Sequence, residues 1–455
     1  MGAAELVTRG RVLYGKEVVH WESHPRIPNL SLSGVTSIRK PRPRMKTIRF
    51  FCAVEPGIPM LRDLLPYLAQ NGAEVQLIIT RQEYRVGREA LAPMLRASGV
   101  SVRTVWVPFS GGAAGAAGAT GATAAGAAGA RKLNVYVAFV ASAMLRSLFG
   151  KGVDLNVFLT QPPLFYVWGC VLKAVRRQPY AVIVMDVYPD VAVKSGMLRG
   201  TGVVAGGLTF LARLGLRSAR HVVAIGHCMR ELLERKYVSP GVTSVIPNWA
   251  DDRTVFPVPH SENGLRAELG FGAEHFLVVY SGNMGEVHYF DDVLEVARRL
   301  RNHPSIRFVF IGDGSRRREV ERARERDNLT NLMLLPFQPA SRMAESLSMG
   351  DIHFVSLRAG FEGLVVPSKT YGPLAAGRPV IYQGDDAGEI ARTLPETGAG
   401  RVVPIGDPDA LEQCIIGLFN DPAAREAAGA AALGYARSAL SNQQCIQSYG
   451  AVLCG

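Results

Sequence analysis

Glu362, Ser368 and Lys369 are the first residues of this chain whose types and spacing suggest chemistry. They lie in F-E-G-L-V-V-P-S-K-T-Y-G-P-L-A-A-G-R-P-V, which runs from Phe361 to Val380. Glu362 is a carboxylate in a glycine-flanked loop, and Pro367-Ser368-Lys369 reads as the start of a helix. Pro fits a first turn, Ser is suited to cap it, and free N–H groups beside the Lys charge make a seat for an anion. Gly377 stops the helix, and Pro379-Val380-Ile381 opens a new strand. An acid beside a phosphate-ready helix start suits the departure of a phosphorylated leaving group. An ordinary strand–loop–helix–strand connection is the plainer account of the same stretch.

Other residues point the same way. Three glycine-bearing turns follow apolar runs: Ser281-Gly282-Asn283-Met284-Gly285, Gly312-Asp313-Gly314, and the loop from Gly360 to Ser368 with Gly363, Leu364 and Val365. Glycine at such points lets backbone approach a phosphate closely. None is a Walker loop or a G-x-G-x-x-G fingerprint. Earlier, Asp186-Val187-Tyr188-Pro189-Asp190 follows A-V-I-V-M, so two carboxylates at a strand end are placed to position or deprotonate a hydroxyl. A capping turn accounts equally well for Asp190. His227 reads as a helix cap, with an acceptor-side role as the alternative. The histidines show no metal-ligand spacing, so no metal site is expected.

Alternating strand-like and helix-like runs must position these groups. Ile48–Val54, Val75–Thr80, Val102–Val107, Val157–Leu159, Ala181–Met185 and Val222–Ile225 read as strands. A second series opens at Phe276 and continues through Arg307–Gly312, Leu332–Leu335 and Ile352–Ser356, with helices between, including Asp291–Arg301 and Ser315–Arg326. This alternation predicts an α/β architecture of two doubly wound, Rossmann-like domains facing across a cleft, with the site at the carboxyl ends of the strands. The expected division is a flexible basic tail over 1–44 and a first domain over 45–251. A second domain covers 252–435, and a helix over 436–455 is placed to pack back on the first domain. Residues 111–130 contain only Gly, Ala and Thr and are expected to be a flexible insertion. Met45 precedes the first strand and is a candidate translation start.

The 455 residues are 48% hydrophobic and 20% charged, which is globular rather than disordered composition. A net charge of +12 suits anionic small molecules, an anionic membrane surface or nucleic acid. No nucleic-acid-binding motif accompanies it, so no nucleic-acid partner is expected. The six cysteines lie far apart with no C-x-x-C pair, as expected of thiols in a reducing cytoplasm. No signal peptide is read at the start. The uncharged run Leu155–Leu172 is interrupted by Asn156, Gln161 and Pro162-Pro163, so no transmembrane helix is expected. Leu133–Phe149 is amphipathic, docking on its own domain or touching a membrane.

Together these motifs resemble the family-4 retaining glycosyltransferases of the GT-B fold, in particular the bacterial group that builds O-antigen, capsule and exopolysaccharide. The matching text is Y-S-G-N-M-G at Tyr280, I-G-D-G at Ile311, L-P-F at Leu335, V-P-S-K-T-Y-G-P-L-A-A-G-R-P-V-I at Val366 and G-A-G-R-V-V-P-I-G-D-P-D-A-L at Gly398. T-Q-P-P at Thr160, D-V-Y-P-D at Asp186 and I-P-N-W-A-D at Ile246 extend it into the first domain. The resemblance covers Met45 to the C-terminus apart from the Gly/Ala insertion. It implies that a nucleotide-sugar, UDP- or GDP-linked, binds the second domain and the acceptor binds mainly the first.

The implied donor set is Gly282, Asn283, Met284, Gly285, Gly312, Asp313, Gly314, Gly363, Leu364, Val365, Pro367, Ser368 and Lys369. Glu362 matches the first acid of the family's paired-glutamate motif and faces the donor sugar. Asp186 is the candidate for orienting the acceptor hydroxyl. No cofactor or metal is implied. Two departures stand out. The family's second glutamate, a ribose ligand, falls on Gly372, while counting forward from Glu362 lands on Thr370. The Arg and Lys that many members carry after the S-G-N turn are replaced by E-V-H-Y-F-D-D, leaving Lys369 the clearest cation, with Arg316 or Arg317 as candidate helpers.

The expected function is transfer of a sugar from a nucleotide diphosphate to a polyprenyl-diphosphate-linked or glycan acceptor, by a cytoplasmic protein peripheral on the inner face of the membrane. The alternatives are a nucleotide-sugar 2-epimerase of the same fold and a catalytically silent sugar-nucleotide-binding subunit.

Overall fold

The computed structural model describes residues 45–53, 59–80, 95–105, 137–200 and 202–455. The tail over 1–44, the first strand-to-helix turn at Gly57, the Gly/Ala segment 111–130 and residues 133–136 lie outside the described residues.

The apolar runs form two wholly parallel sheets. In the first, the strands are β1 (Thr47–Cys52), β2 (Glu74–Thr80), β3 (Ser101–Val105), β4 (Leu155–Leu159), β5 (Tyr180–Val184), β6 (His221–Ala224) and β7 (Thr243–Val245), in the order β3-β2-β1-β4-β5-β6-β7. The second holds β8 (Phe276–Ser281), β9 (Ile306–Ile311), β10 (Leu332–Leu335), β11 (Ile352–Ser356), β12 (Val380–Gln383) and β13 (Gly400–Val403), in the order β10-β9-β8-β11-β12-β13. Every residue of β4, β5 and β11 is buried, because helices cover both faces of a parallel sheet. That is why these strands read as continuous apolar runs rather than alternating ones.

Each sheet reverses its winding once. In the first, β1 pairs with both β2 and β4, matching Ile48 with Val75 on one side and with Leu155 on the other. In the second, β8 lies between β9 and β11. Ligands of doubly wound sheets sit outside the carboxyl ends of the strands at such reversals. Thr160 and Asp186 lie just beyond β4 and β5, Gly282 just beyond β8, and the Glu362 loop just beyond β11.

Residues Met45–Gly455 form one compact unit. A hydrophobic cluster runs through both sheets, taking Val187, Val191, Ile225 and Met229 from the first half and Phe361, Leu364, Val366 and Ile390 from the second. The helix Asn442–Cys454 leaves the second half and lies on the first, where Cys445, Ile446, Tyr449 and Leu453 join Ile48, Leu64 and Trp249. The rings of Trp249 and Tyr449 are 6.3 Å apart, and Lys46 Nζ donates to the Cys454 carbonyl at 2.7 Å. Tyr449→Ala is expected to destabilise the protein by about 3 kcal/mol or more, because a fully buried ring leaves a cavity. Urea unfolding of the variant beside the parent checks this.

Candidate active site in the cleft

The site is assembled where the loop after β11 meets the end of β5. Val365 forms an antiparallel bridge with Asp186 and a parallel bridge with Glu362, so one residue ties both carboxylate-bearing positions together. The Val187 N–H donates to the Leu364 carbonyl at 2.9 Å, which extends the pairing across the two halves. Gly363 makes this approach possible. Its φ is +71°, and a Cβ there would stand 2.8 Å from the Cys228 carbonyl oxygen. A side chain at that position would push the loop off the first half.

Glu362 is half-buried. Its Oε2 accepts the Gly360 N–H at 2.7 Å, while Oε1 is sealed from solvent with no hydrogen-bond partner. An unpaired buried carboxylate oxygen is costly, about 1–3 kcal/mol or more. Asp186 sits opposite, held by the T-Q-P-P turn. The Thr160 hydroxyl accepts the Met185 N–H at 3.0 Å and the Asp186 N–H at 3.3 Å, and Gln161 Nε2 donates to Asp186 Oδ2 at 3.4 Å. Burial raises the Asp186 carboxyl above the usual carboxylate range, with the Gln161 bond opposing it. A carboxylate raised in this way is a better proton acceptor. Asp190, by contrast, faces away and accepts from Lys236 and the Tyr237 hydroxyl, a structural pairing.

Lys369 is a cation of the site beside the glycine turn at Gly282, and its environment is specific. Burial lowers its pKa to about 8. Its Nζ lies 2.7 Å from His288 Nε2 and 5.9 Å from the centre of the Tyr280 ring. His288 Nδ1 is 2.7 Å from the Ser356 carbonyl, so the proton is assigned to Nδ1, and Nε2 accepts from the lysine. Burial, with Lys369 beside it, lowers the His288 pKa to about 3, so the ring stays neutral. Gly282 provides the room, since a Cβ there would lie 2.7 Å from Lys369 Cε.

The other glycine turns pack as a unit beneath the lysine. The Gly282 N–H donates to the Ile311 carbonyl at 2.8 Å, Met284 N–H to Asp313 at 2.7 Å, and Gly312 N–H to Leu335 at 3.0 Å. The Gly314 N–H donates to Asp313 Oδ1 at 2.8 Å. Met284 is fully buried, so its side chain belongs to the core, whereas Asn283 is exposed and Gly285 half-exposed. Leu364 and Pro367 are buried, and Ser368 is exposed.

Four readings of the sequence need correction. Ser368 does not cap: Pro367 is the N-cap of a 3-10 turn over Ser368–Thr370, with no side-chain cap, and the helix proper is Tyr371–Ala375. His227 is not a cap either. Gly226 takes that position, and the Cys228 N–H is met at 2.9 Å by Glu389 Oε2 from the other half. Arg316 and Arg317 are not free to help Lys369. Arg316 pairs with Glu319 and the His288 carbonyl, and Arg317 pairs with Glu321 and the Gly312 carbonyl. The helix they serve begins at Arg317, two residues later than Ser315.

At Gly372 a Cβ would stand 2.8 Å from Leu347 Cδ1, so this position faces packing. Thr370 is buried with its hydroxyl unpartnered. Sequence reasoning missed His288, Gln161 and Glu389. Only the unusual E-V-H after the S-G-N-M-G turn hinted at His288. Among the described residues no group of three or more His, Cys, Asp or Glu side chains gathers to hold a metal ion.

Residues 58–249 match the family described as "Glycosyl transferase 4-like domain", and residues 262–434 match "Glycosyl transferases group 1". The chain is a family-4 glycosyltransferase of the GT-B fold. This glycosyltransferase is 29% identical over 281 residues to WbjE of Pseudomonas aeruginosa, described as a glycosyltransferase, covering 62% of this chain and 70% of that one. Over 261 residues it is 29% identical to WcaI of Escherichia coli K12, described as a colanic acid biosynthesis glycosyl transferase, covering 56% of this chain and 63% of the relative. Its fold is that of HepE from Anabaena, solved with UDP, at a TM-score of 0.65 and 16% identity over 90% of this chain and 100% of the other. WaaG, a glycosyltransferase of lipopolysaccharide biosynthesis, superposes at a TM-score of 0.62 and 13% identity, over 90% of this chain and all of WaaG's. The enzyme is a glycosyltransferase of bacterial glycan biosynthesis.

Proposed function

We propose that the enzyme transfers a sugar from a nucleotide diphosphate to a lipid-linked glycan acceptor, with retention at the anomeric carbon. The observation that carries this reading is Glu362 with an unpartnered carboxylate oxygen on the same loop as the buried cation Lys369, its backbone tied through Val365 to that of Asp186. The Lys369 ammonium and the N–H groups of Ser368 and Lys369 take the diphosphate, the Thr370 N–H being held by the Pro367 carbonyl at 3.2 Å. The bond from the anomeric carbon to the diphosphate oxygen breaks, and its electron pair leaves with the phosphate. Glu362 holds the sugar while positive charge builds on it. The acceptor oxygen forms the new bond, and its proton passes to the departing phosphate oxygen on the same face, with Asp186 orienting the hydroxyl. In this reading Lys369, rather than a metal ion, neutralises the leaving group.

HepE is solved with UDP and with UDP-glucose, which favours a uridine donor. A thermal-shift screen of UDP, GDP, ADP and TDP is expected to raise the melting temperature with UDP, according to concentration over dissociation constant. Activity insensitive to EDTA is expected with the matching donor. Sugar-nucleotide conversion without any acceptor would instead favour an epimerase.

A lipid-linked acceptor fits one face of the first half. The helix 137–149 and the helices Trp168–Arg176 and Val203–Ser218 lie side by side: Trp168 Nε1 donates to Ser147 Oγ at 2.9 Å, and Lys173 Nζ to the Ser218 carbonyl at 2.8 Å. They expose Phe149 (78%), Val203 (94%) and Phe210 (65%), while Phe139 and Ala143 dock inward. Residues 191–230 contain Lys194, Arg199, Arg213 and Arg217 with no carboxylate among them. Exposed apolar side chains on a basic stretch of chain suit the anionic leaflet of a membrane. Among the described residues no helix is long and apolar enough to cross one. Phe149→Glu with Phe210→Glu is expected to weaken binding to phosphatidylglycerol vesicles about tenfold or more, measured by co-sedimentation, since each buried Phe contributes roughly 1.5–3 kcal/mol.

A further inference from the structure

At the opposite end of the second sheet, before β11 and β12 begin, lies a cavity of about 410 Å³. Its walls come from the segment that carries the chain into the second half and from the helix that precedes its return. Val258 and His260 belong to the link that enters the second half, and Arg425 and Ala430 to the helix Pro422–Arg437 that precedes the return. Asp351 and Arg378, at the starts of β11 and β12, form its floor.

The charges here do not balance within the protein. Asp351 Oδ2 is already taken by Arg266 Nη1 at 3.2 Å and by the Leu277 N–H at 2.8 Å. Its other oxygen stands 3.8 Å from Arg425 Nε and 3.9 Å from His260 Nδ1, too far for hydrogen bonds. Arg378 donates from Nη2 to the Val258 carbonyl at 3.0 Å, but its Nε is buried with no partner. Arg266 pairs with Asp351 from outside the cavity, which leaves Arg378 and Arg425 on its lining with Glu426 at the exposed rim, although Arg425 Nη1 already donates to the Leu418 carbonyl at 2.6 Å. His260 adds no charge at neutral pH, since burial and Arg378 hold its pKa down to about 4.

A cavity lined by Arg378 and Arg425, whose neighbouring carboxylate Asp351 is already held by Arg266, suits an anion with several acceptor oxygens. We propose that this cavity is a second anion site, binding phosphate or a small phosphate ester, separate from the donor cleft. Its occupant touches the link that enters the second half and the helix that leads to the return, so binding there ties these two segments together. A free phosphate and a phosphate ester present the same dianionic group, and the cavity has room for a sugar ring beyond it.

The test is a thermal-shift and calorimetric titration of the whole chain with inorganic phosphate and with glucose 6-phosphate, against potassium chloride at matched ionic strength. The variants are Arg378→Gln, Ala430→Glu and Lys369→Ala. Arg378 also holds Val258, so Ala430→Glu is the second variant; it breaks no hydrogen bond and sets a carboxylate at the exposed wall. Saturable stabilisation is expected in the parent and in Lys369→Ala, with affinity at least tenfold weaker in Arg378→Gln and Ala430→Glu. Tighter binding of glucose 6-phosphate supports an ester as occupant, and equal binding supports free phosphate. Loss of the effect in Lys369→Ala would place the anion in the donor cleft and overturn the proposal. So would undiminished binding in both cavity variants, or no stabilisation beyond that of chloride. Failure here leaves the donor site intact, because UDP binding is read separately.

Discussion

Replacing Glu362 by Gln is expected to lower turnover by about a hundredfold to a thousandfold while leaving the fold and nucleotide affinity close to those of the parent. The amide keeps the shape and retains an oxygen to accept the Gly360 N–H, which the carboxylate accepts at 2.7 Å. It loses the negative charge that would stabilise an oxocarbenium-like sugar, and electrostatic groups of this kind are worth that much in rate. A radiolabelled donor assay gives kcat, and calorimetry with the nucleoside diphosphate gives affinity. A Gln variant with parental turnover would remove Glu362 from the reacting centre. Equal loss of nucleotide binding would instead place it at the diphosphate.

Lys369→Met is expected to weaken nucleoside diphosphate binding by ten- to a hundredfold or more, since a charge-assisted hydrogen bond contributes about 1.5–3 kcal/mol. The same substitution should raise the stability of the donor-free protein at neutral pH. The lysine pKa falls from 10.5 to about 8 on folding because the charged form is buried. Below pH 8 the folded protein keeps a charge that the interior disfavours, at a cost on the order of 3 kcal/mol. Between about pH 8 and 10.5 the unfolded chain binds more protons than the folded one, so stability rises with pH there and this penalty fades. In the variant that rise should be missing. Nucleotide affinity should move the other way, falling as pH climbs through 8 and the ammonium is lost. Urea unfolding and calorimetry between pH 7 and 10 check both. A variant less stable than the parent at pH 7 would mean that the His288 contact outweighs the burial of charge.

The strands were legible because buried parallel strands are apolar on both faces and stand out as runs such as F-L-V-V-Y and A-V-I-V-M. The short edge strand β7, Thr243–Val245, has neither the length nor the burial to show itself. The Glu362 loop was legible through its own residues, since glycines mark where chain approaches chain. Its partners were not. Glu389 meets Cys228 across 161 positions, and no local pattern encodes a contact of that span. Ser368 misled because a cap must precede the first turn, and here the turn closes one residue earlier, at Pro367. His288 went unread because a lone histidine has many uses, and only burial beside Lys369 selects this one.

The helix Asn442–Cys454, which covers the first sheet, also sets an order of events during synthesis. Residues of β1 through β7 leave the ribosome long before the segment that shields Ile48, Leu64 and Trp249 exists. Roughly 200 residues separate Val245 from Asn442, and at about 5–20 residues per second they take some ten to forty seconds to make. For that interval the nascent first half carries an uncovered apolar face, a natural landing place for a chaperone. A truncation before Asn442 would make that transient state permanent.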